Sequence, residues 1–548
     1  MMQRHKIITE IETEVSQTED VTIRTLWPFF YERINKVRMQ ILFWCILILA
    51  CILRFAQFPS LPAGINQDEA GAAYESYALL TRGTDRWGNK FPIYFPSWGS
   101  GQNVLQSYIN IPFIKLFGLN TFGARFLPAL LSVLTLIVLY FLVKRLYNAQ
   151  TGLLAMLLLS VTPWHIMLSR WSLESNLLPF FLLIGVASLV YCYTSSARKM
   201  LLPFSLVFLA LSCYAYGISV LVILGIAGMY SLMRYKVILT HKTAFLLSLG
   251  IFLLITAPFL LFTLDNSILH YTPPFIAHLP FTIPLLISNR LNQISNGQDL
   301  LAANALFLSS GFRDGLPWNN LDWSQPLGAV TLPGAALGIY YSLKKRGDAT
   351  IFIIWLIATL PLFFLVPLNI NRSNAIFVPL IALSAIGIVG MYSSIRNKKA
   401  KWLFLTAVLA ITLSYSGLFC RDYFTDYNSY ISYAFSDGLD QALLAARTQA
   451  TSDEPIYLSD RISTNYVYIL YLLHIDPYDF QQHSSVITVG DTYKVLNYRN
   501  YYFYPTEPQL LSVPSYIAIL KGGEQVNCQS HQVLYSQGAW IVERCNNK

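Results

Sequence analysis

Asp68 and Glu69 stand side by side in Ala-Gly-Ile-Asn-Gln-Asp-Glu-Ala-Gly-Ala-Ala-Tyr, residues 63–74, of a chain in which only 12% of residues are charged. A carboxylate at the water–lipid boundary can take the proton from a hydroxyl as it attacks an electrophile, which is general-base chemistry. Asp68 is the candidate base and Glu69 its partner. A plain structural role is open too, because Asp commonly caps a helix. A helix N-terminus stabilises the carboxylate and lowers its basicity. A base placed here suits a reaction whose leaving group departs early, so that the hydroxyl turns acidic in the transition state.

Glu174, in Ser169-Arg-Trp-Ser-Leu-Glu-Ser-Asn176, is a second candidate acid at the outer start of an apolar run. An acid at the centre of a membrane helix costs on the order of 2.5–3.5 kcal/mol, and less toward the interface. It should therefore face protein or water, either beside the reacting groups or paired with Arg170 four residues earlier. Four basic residues, Arg86, Lys90, Arg125 and Arg372, fall on the side where membrane proteins disfavour positive charge. Guanidinium groups at that level suit a phosphate; ordinary snorkelling to lipid headgroups is the bland reading.

Other chemistries find little support. His270 and His278 lack zinc-ligand spacing, so no metal site is assigned. There is no phosphate-cradling glycine loop of the nucleoside-triphosphate type, and no Ser/His/Asp elbow. The net charge of +9 is accounted for by basic loops and implies no nucleic-acid partner.

The elements that must hold these residues follow from composition. The chain is 54% hydrophobic with mean hydropathy +0.46, which marks an integral membrane protein in contact with lipid. Residues 1–38 read as a cytosolic tail without a signal-peptide core. Apolar runs long enough to cross a bilayer fall near 39–56, 124–143, 151–168, 173–193, 200–216, 217–233, 244–264, 327–343, 350–367, 374–393 and 402–420, about eleven spans. The pair 200–233 is divided at Tyr214-Ala-Tyr-Gly217.

Short loops carrying Lys144, Arg145, Arg198, Lys199, Arg234, Lys236, Lys242, Lys344, Lys345, Arg346, Arg396, Lys398, Lys399 and Lys401 are assigned to the cytoplasm. The loops 57–123 and 265–326 and the tail from 421 then face outward, with the N-terminus inside and a plasma (inner) membrane as the simplest location. In the first outer loop, 69–82 has helical spacing with Gly83 as a stop, and 104–117 is an apolar stretch too short to span. Two interfacial helices are expected there. Residues 421–548 read as a small extracytoplasmic α/β domain, with a helix at 436–449 and strands at 455–459, 515–520, 532–535 and 539–543. Cys528 and Cys545 could pair within it. The expected fold is thus an all-α polytopic membrane module, 39–420, followed by that domain.

Four stretches carry a family resemblance: Asp68-Glu69 after the first span, Leu116 to Pro128, Thr162 to Arg170 with the acid at Glu174, and Asn371 to Pro379. In this order on this topology the chain resembles the GT-C membrane glycosyltransferases, over about residues 39–200 and more loosely to 393. Within them it is nearest the protein O-mannosyltransferase and lipid A aminoarabinose transferase group, glycosyltransferase family 39. The resemblance implies transfer of a sugar from a polyprenyl-phosphate-linked donor to an acceptor hydroxyl at the outer face, with inversion. By matching position, Asp68 is the catalytic carboxylate, Glu69 its partner, Glu174 the second acid and Arg125 a supporting arginine. Arg86, Lys90, Arg125 and Arg372 are then the donor-phosphate candidates. The family often has Asp at the Glu174 position, and Phe95 to Asn103 departs from its usual His-Pro-Pro or Tyr-Pro-Pro. Donor sugar and acceptor, whether protein, lipid or wall glycan, stay open, as does the tail, which lacks the family's sugar-binding repeats. No cofactor is required, though a divalent cation beside Asp68 is compatible with the residues. A transporter or flippase of lipid-linked saccharide and a non-catalytic scaffold are the competing readings. The lack of an inverted repeat argues against the first.

Overall fold

The computed structural model describes residues 36–97, 101–194, 201–286, 297–490 and 492–547. Residues 1–35 of the expected tail, the tripeptide 98–100, Arg198 and Lys199, and residues 287–296 of the second outer loop lie outside the described residues.

The membrane module opens with α1 (Lys36–Phe55) and then two helices within residues 57–123, α2 (Gln67–Arg82) and α3 (Leu105–Phe117). These are the two short helices expected there. At the start of α2 the Asn66 side chain accepts from the Asp68 N–H at 2.9 Å, while Glu69 reaches back to the Asn66 N–H at 3.0 Å. This reciprocal capping box satisfies donors that the first turn would otherwise leave open. Gly83, at φ 68°, ends the helix.

Next come α4 (Thr121–Leu146), α5 (Ala149–Val161), α6 (Pro163–Leu168) and α7 (Glu174–Tyr193). Asn120 and Asn148 cap α4 and α5. The expected span 151–168 is broken because Pro163 holds Thr162 extended, at φ −70° and ψ 125°, and then starts α6 itself.

Among the described residues, seven helices are long and apolar enough to cross a membrane: α1, α4, α7, Lys242–Leu269, Gly347–Leu365, Asn374–Ser394 and Lys398–Thr425. Apolar helices of 10–17 residues are Ala149–Val161, Leu201–Ala215, Gly217–Met233 and Asp299–Ser309. The break between the second and third of these falls in the Tyr214–Gly217 segment, as anticipated. The helix Gly297–Ser309 was not foreseen within residues 265–326. Helix Thr331–Lys345 lies close along Asn374–Ser394: a Cβ on Gly338 would stand 1.9 Å from the Leu383 carbonyl oxygen, and one on Gly387 2.0 Å from that of Gly334. Small residues here let two backbones touch, the usual means of joining helices in a lipid-like interior.

The two ends of the module differ in charge. Arg125 and Arg145 are twenty residues apart on α4, roughly 30 Å at 1.5 Å per residue. Near Arg145, the Lys345 Nζ donates to Leu146 O at 2.7 Å and Arg234 pairs with Asp348. The acidic groups of interest lie at the Arg125 end.

The C-terminal part is a mixed seven-stranded sheet of β1 (Ile456–Leu458), β2 (Ser484–Val489), β3 (Thr492–Tyr498), β4 (Tyr501–Phe503), β5 (Ser515–Lys521), β6 (Ser530–Gln537) and β7 (Trp540–Asn546). The strand order is β2-β3-β4-β1-β5-β7-β6, with β1 parallel to β4 and β5. Helix Leu439–Gln449 and strands β1, β5, β6 and β7 occupy the expected places. Helix Asn465–Leu472 and strands β2, β3 and β4 are additions. Cys528 and Cys545 are joined, their Cα atoms 5.7 Å apart. This domain shares a core with α2: Ala70, Ala73 and Tyr74 are buried with Ile456, Ile519 and Val542, and the Tyr74 hydroxyl donates to Ile475 O at 2.8 Å. The platform helix is therefore held from the membrane side and from above.

Candidate functional site

Neighbouring residues on a helix point about 100° apart, so Asp68 and Glu69 serve different surroundings. Glu69 points inward and has no exposed surface. It accepts from Arg125 Nε at 2.9 Å and Nη2 at 2.8 Å, and from the Ser172 N–H at 2.7 Å. The remaining Arg125 donors go to the carbonyls of Pro59 (2.7 Å), Pro62 (2.6 Å) and Gly64 (2.8 Å). All five N–H groups of the guanidinium are thereby used. This corrects two expectations: Arg125 has no donor to offer a phosphate, and Glu69 is tied into a clamp that fixes the loop 57–65 against α2, α4 and Ser172.

Asp68 lies half-buried on another face of α2. Its carbonyl oxygen is 3.5 Å from Gln102 Nε2, and the same nitrogen donates to Glu174 Oε2 at 3.1 Å. Gln102 thus bridges the start of α2 and the buried Glu174 that opens α7. In the first turn of α3, Gln106 donates to the Ser172 hydroxyl, two residues before Glu174. The Asp68 backbone carbonyl and the Glu174 carboxylate, more than a hundred residues apart, meet at one neutral side chain that the sequence reading passed over. The available signal was the polar pair Gln102-Asn103 directly before the apolar run of α3.

Arg170 does not serve Glu174 as the simpler reading supposed. Its guanidinium donates to the carbonyls of Leu53, Arg54, Ala56 and Leu61, the open C-terminal end of α1 and the turn after it. A cation there suits the negative end of the helix.

Arg86 is buried and paired with Glu75, seven residues after Asp68 on α2, and reaches Tyr466 Oη and Gly71 O, each at 3.4 Å. Like Arg125 it is committed to holding protein, here the segment after α2 and the C-terminal domain against α2. Beside it, the Asp85 carboxyl accepts from the N–H groups of Trp87 and Asn89 and from the Asn89 amide. Burial, with the charge of Glu75 next, pushes Asp85 up to about 7. Lys90 is exposed; its carbonyl accepts from the Thr282 N–H at 2.9 Å, joining the segment 57–123 to the segment 265–326.

Arg372 is placed differently. It lies half-buried on a cavity of about 320 Å³ lined by Tyr94, Asn103, Tyr216, Phe259, Phe262 and Val366, among others. Within the described residues its guanidinium has one acceptor, Pro367 O at 2.7 Å. The loop that carries it is pinned by Asp314, which accepts from the Ile370 N–H at 2.9 Å. Asn374 donates to Ser175 O at 2.9 Å and accepts from Trp164 Nε1 at 2.9 Å, so this loop is fastened beside Glu174. Asn103, which follows Gln102, accepts from the Gly217 N–H at 3.0 Å and forms part of the cavity wall. A mainly apolar cavity holding one guanidinium thus adjoins the segment that touches both Asp68 and Glu174. Such a cavity can take an isoprenoid-like chain ending in an anion.

Among the described residues, only Cys528, His531 and Cys545 come close enough together to hold a metal ion, and the two sulfurs are joined.

Residues 104–262 match the family model described as dolichyl-phosphate-mannose-protein mannosyltransferase. No curated protein sequence is significantly similar to the chain. Among solved structures, ArnT from Cupriavidus metallidurans in the apo state is similar over 93% of this chain and 98% of its own, at 13% identity and TM-score 0.54. The same protein bound to undecaprenyl phosphate aligns over 91% and 97%, at 14% identity and TM-score 0.54. The apo oligosaccharyltransferase of Archaeoglobus fulgidus covers 79% of this chain and 64% of its own, at 14% identity and TM-score 0.50. The chain has the GT-C fold, as the sequence reading expected.

Proposed function

We propose that this protein is a membrane glycosyltransferase that moves a sugar from a polyprenyl-phosphate-linked donor to an acceptor hydroxyl, with inversion at the anomeric carbon. The observation that carries this reading is the Arg372 cavity and its continuity, through Asn103 and Gln102, with Asp68 and Glu174. The bound undecaprenyl phosphate of the similar C. metallidurans ArnT and the mannosyltransferase family match support the donor class.

In this reading the prenyl chain lies along the apolar wall and Arg372 faces the phosphate. Asp68 accepts the proton of the acceptor hydroxyl as its oxygen bonds the anomeric carbon. The bond from that carbon to the phosphate oxygen breaks, and polyprenyl phosphate leaves with the electron pair, its charge met by the guanidinium. Glu174, held by Gln102, keeps negative potential beside the positive charge that develops on the sugar. Glu69 and Arg125 position the start of α2 and take no direct part. Arg86 holds the outer loop, and Lys90 meets lipid headgroups. A divalent cation is not needed for any step. The site faces outward from a plasma membrane, with the basic end of α4 in the cytoplasm.

The test uses purified protein in nanodiscs with a panel of polyprenyl-phosphate sugars and acceptor extracts, following release of polyprenyl phosphate. Release by the wild type, lowered about 10²–10⁴-fold in Asp68→Asn, is the expected result for loss of a general base. Release unaffected by that change removes Asp68 from the mechanism. Absence of release across the panel overturns the transferase reading.

A further inference from the structure

A second cavity, of about 250 Å³, lies where the membrane module meets the C-terminal domain. Ser60, Ile65 and Thr121 contribute from below, and Ser436, Asp440 and Tyr471 from above. The junction is built tightly: Gly64, at φ 75°, lies so near the domain that a Cβ would stand 2.3 Å from Phe435 O and 2.6 Å from Asp437 N. The Ile65 N–H donates to Phe435 O at 2.7 Å, and the Tyr468 hydroxyl donates to Ile65 O at 3.2 Å. Ile65 is three residues before Asp68. Burial pushes the Tyr468 hydroxyl up, against a hydrogen bond with Ser436 and with a smaller upward push from the charges of Asp68 and Glu69.

The cavity contains an unfilled polar position. Tyr471 is 3% exposed, and its hydroxyl stands beside the Thr121 side chain without a hydrogen bond of normal geometry. A buried polar group without a partner is costly, and a ligand hydroxyl would relieve that cost. The cavity's carboxylates, Asp437 and Asp440, repel phosphate, whereas the Arg372 cavity attracts it. The two cavities thus divide the charges of a reaction between an anionic donor and a neutral acceptor. Carboxylate and hydroxyl groups beside tyrosine rings can bond sugar hydroxyls and lie against sugar C–H faces. Peptide capture by strand addition needs a free sheet edge, but the edges of this sheet are β2 and β6, and neither lines the cavity. A volume below the roughly 300–1,000 Å³ of drug-sized pockets suits a single sugar unit.

We propose that the cavity between Thr121 and Tyr471 is the acceptor subsite, taking the terminal neutral sugar of a glycan at the segment that leads into α2, three residues before Asp68. The inference rests on the transferase reading above for its role, and on its own geometry for binding.

The test is photo-crosslinking of the full chain in nanodiscs with diazirine-bearing hexosides and pentosides, each offered as a soluble glycoside and as the same sugar on a lipid. Labelled peptides are mapped by mass spectrometry. Expected are labels in 436–440 and 468–472, competed by the unmodified sugar and retained in Asp68→Asn. A soluble or wall glycan is indicated by labelling from the free glycoside, and a glycolipid by labelling from the lipid-borne form alone. Tyr471→Phe removes a hydroxyl whose one neighbouring partner, Thr121, is not held in normal hydrogen-bond geometry, so the melting temperature should change little. Acceptor half-saturation should rise about tenfold, with donor half-saturation unchanged. Absence of labels in both segments, or labelling and acceptor half-saturation both untouched by Tyr471→Phe, overturns the subsite. Labelling without any sugar transfer leaves the subsite standing and removes the transferase reading. Transfer without labelling does the reverse.

Discussion

Glu69 and Arg125 form a two-pronged ion pair in which neither side chain has exposed surface. Removing one partner would strand the other as a buried charge, a loss of roughly 3–5 kcal/mol in comparable pairs. Arg125→Ala and Glu69→Gln are therefore expected to lower the thermal unfolding temperature and the yield of folded protein in detergent. Arg125→Lys should rescue little, since an ammonium cannot reproduce the fork or reach the carbonyls of Pro59, Pro62 and Gly64 together. The discriminating measurement is donor half-saturation in whatever folded protein remains. A clamp leaves it near the wild-type value, whereas a phosphate ligand would raise it.

Arg372 should behave in the opposite way. Its guanidinium has one protein acceptor among the described residues, so Arg372→Ala costs little stability. A charge-assisted hydrogen bond to phosphate contributes about 1.5–3 kcal/mol, which corresponds to a donor half-saturation raised roughly 10- to 150-fold. Titrating donor against the rate of polyprenyl phosphate release reads this directly. Unchanged half-saturation in the alanine variant would take Arg372 out of donor binding.

The contrast between these two arginines shows what was legible in the chain. Charged residues are conspicuous in so apolar a sequence, and helical periodicity placed both outer-loop helices within two residues. Whether an arginine is free or fully occupied depends on carbonyls around residues 59–64, and backbone acceptors leave no trace in side-chain patterns. Gln102 was missed because a neutral amide carries no signal until a carboxylate is seen beside it. Tyr466-Val-Tyr-Ile-Leu-Tyr-Leu472 has no polar face to mark its period, so a helix buried on nearly every side could not be told from a buried strand. The Pro163 break was visible as a residue, but the long apolar run around it outweighed it.

Asp85 supplies a pH prediction whose sign follows from its burial. Its carboxyl titrates near 7 in the folded protein, against 3.8 for the ordinary side chain. Between those values the folded state keeps a proton that the unfolded chain has released. Stability from this group is thus fully present below about pH 4 and is lost as pH rises through 7. Lys521 works in a higher window: burial lowers it to about 8 from 10.5, so its contribution is present above 10.5 and is lost as pH falls through 8. Hydrogen exchange of the Trp87 and Asn89 amides, which donate to Asp85, should accelerate beyond the intrinsic base-catalysed rise between pH 5 and 8. Asp85→Asn should flatten that excess while leaving the Lys521 window in place. An excess that persists in the asparagine variant would assign the pH response to the neighbouring Glu75–Arg86 pair instead.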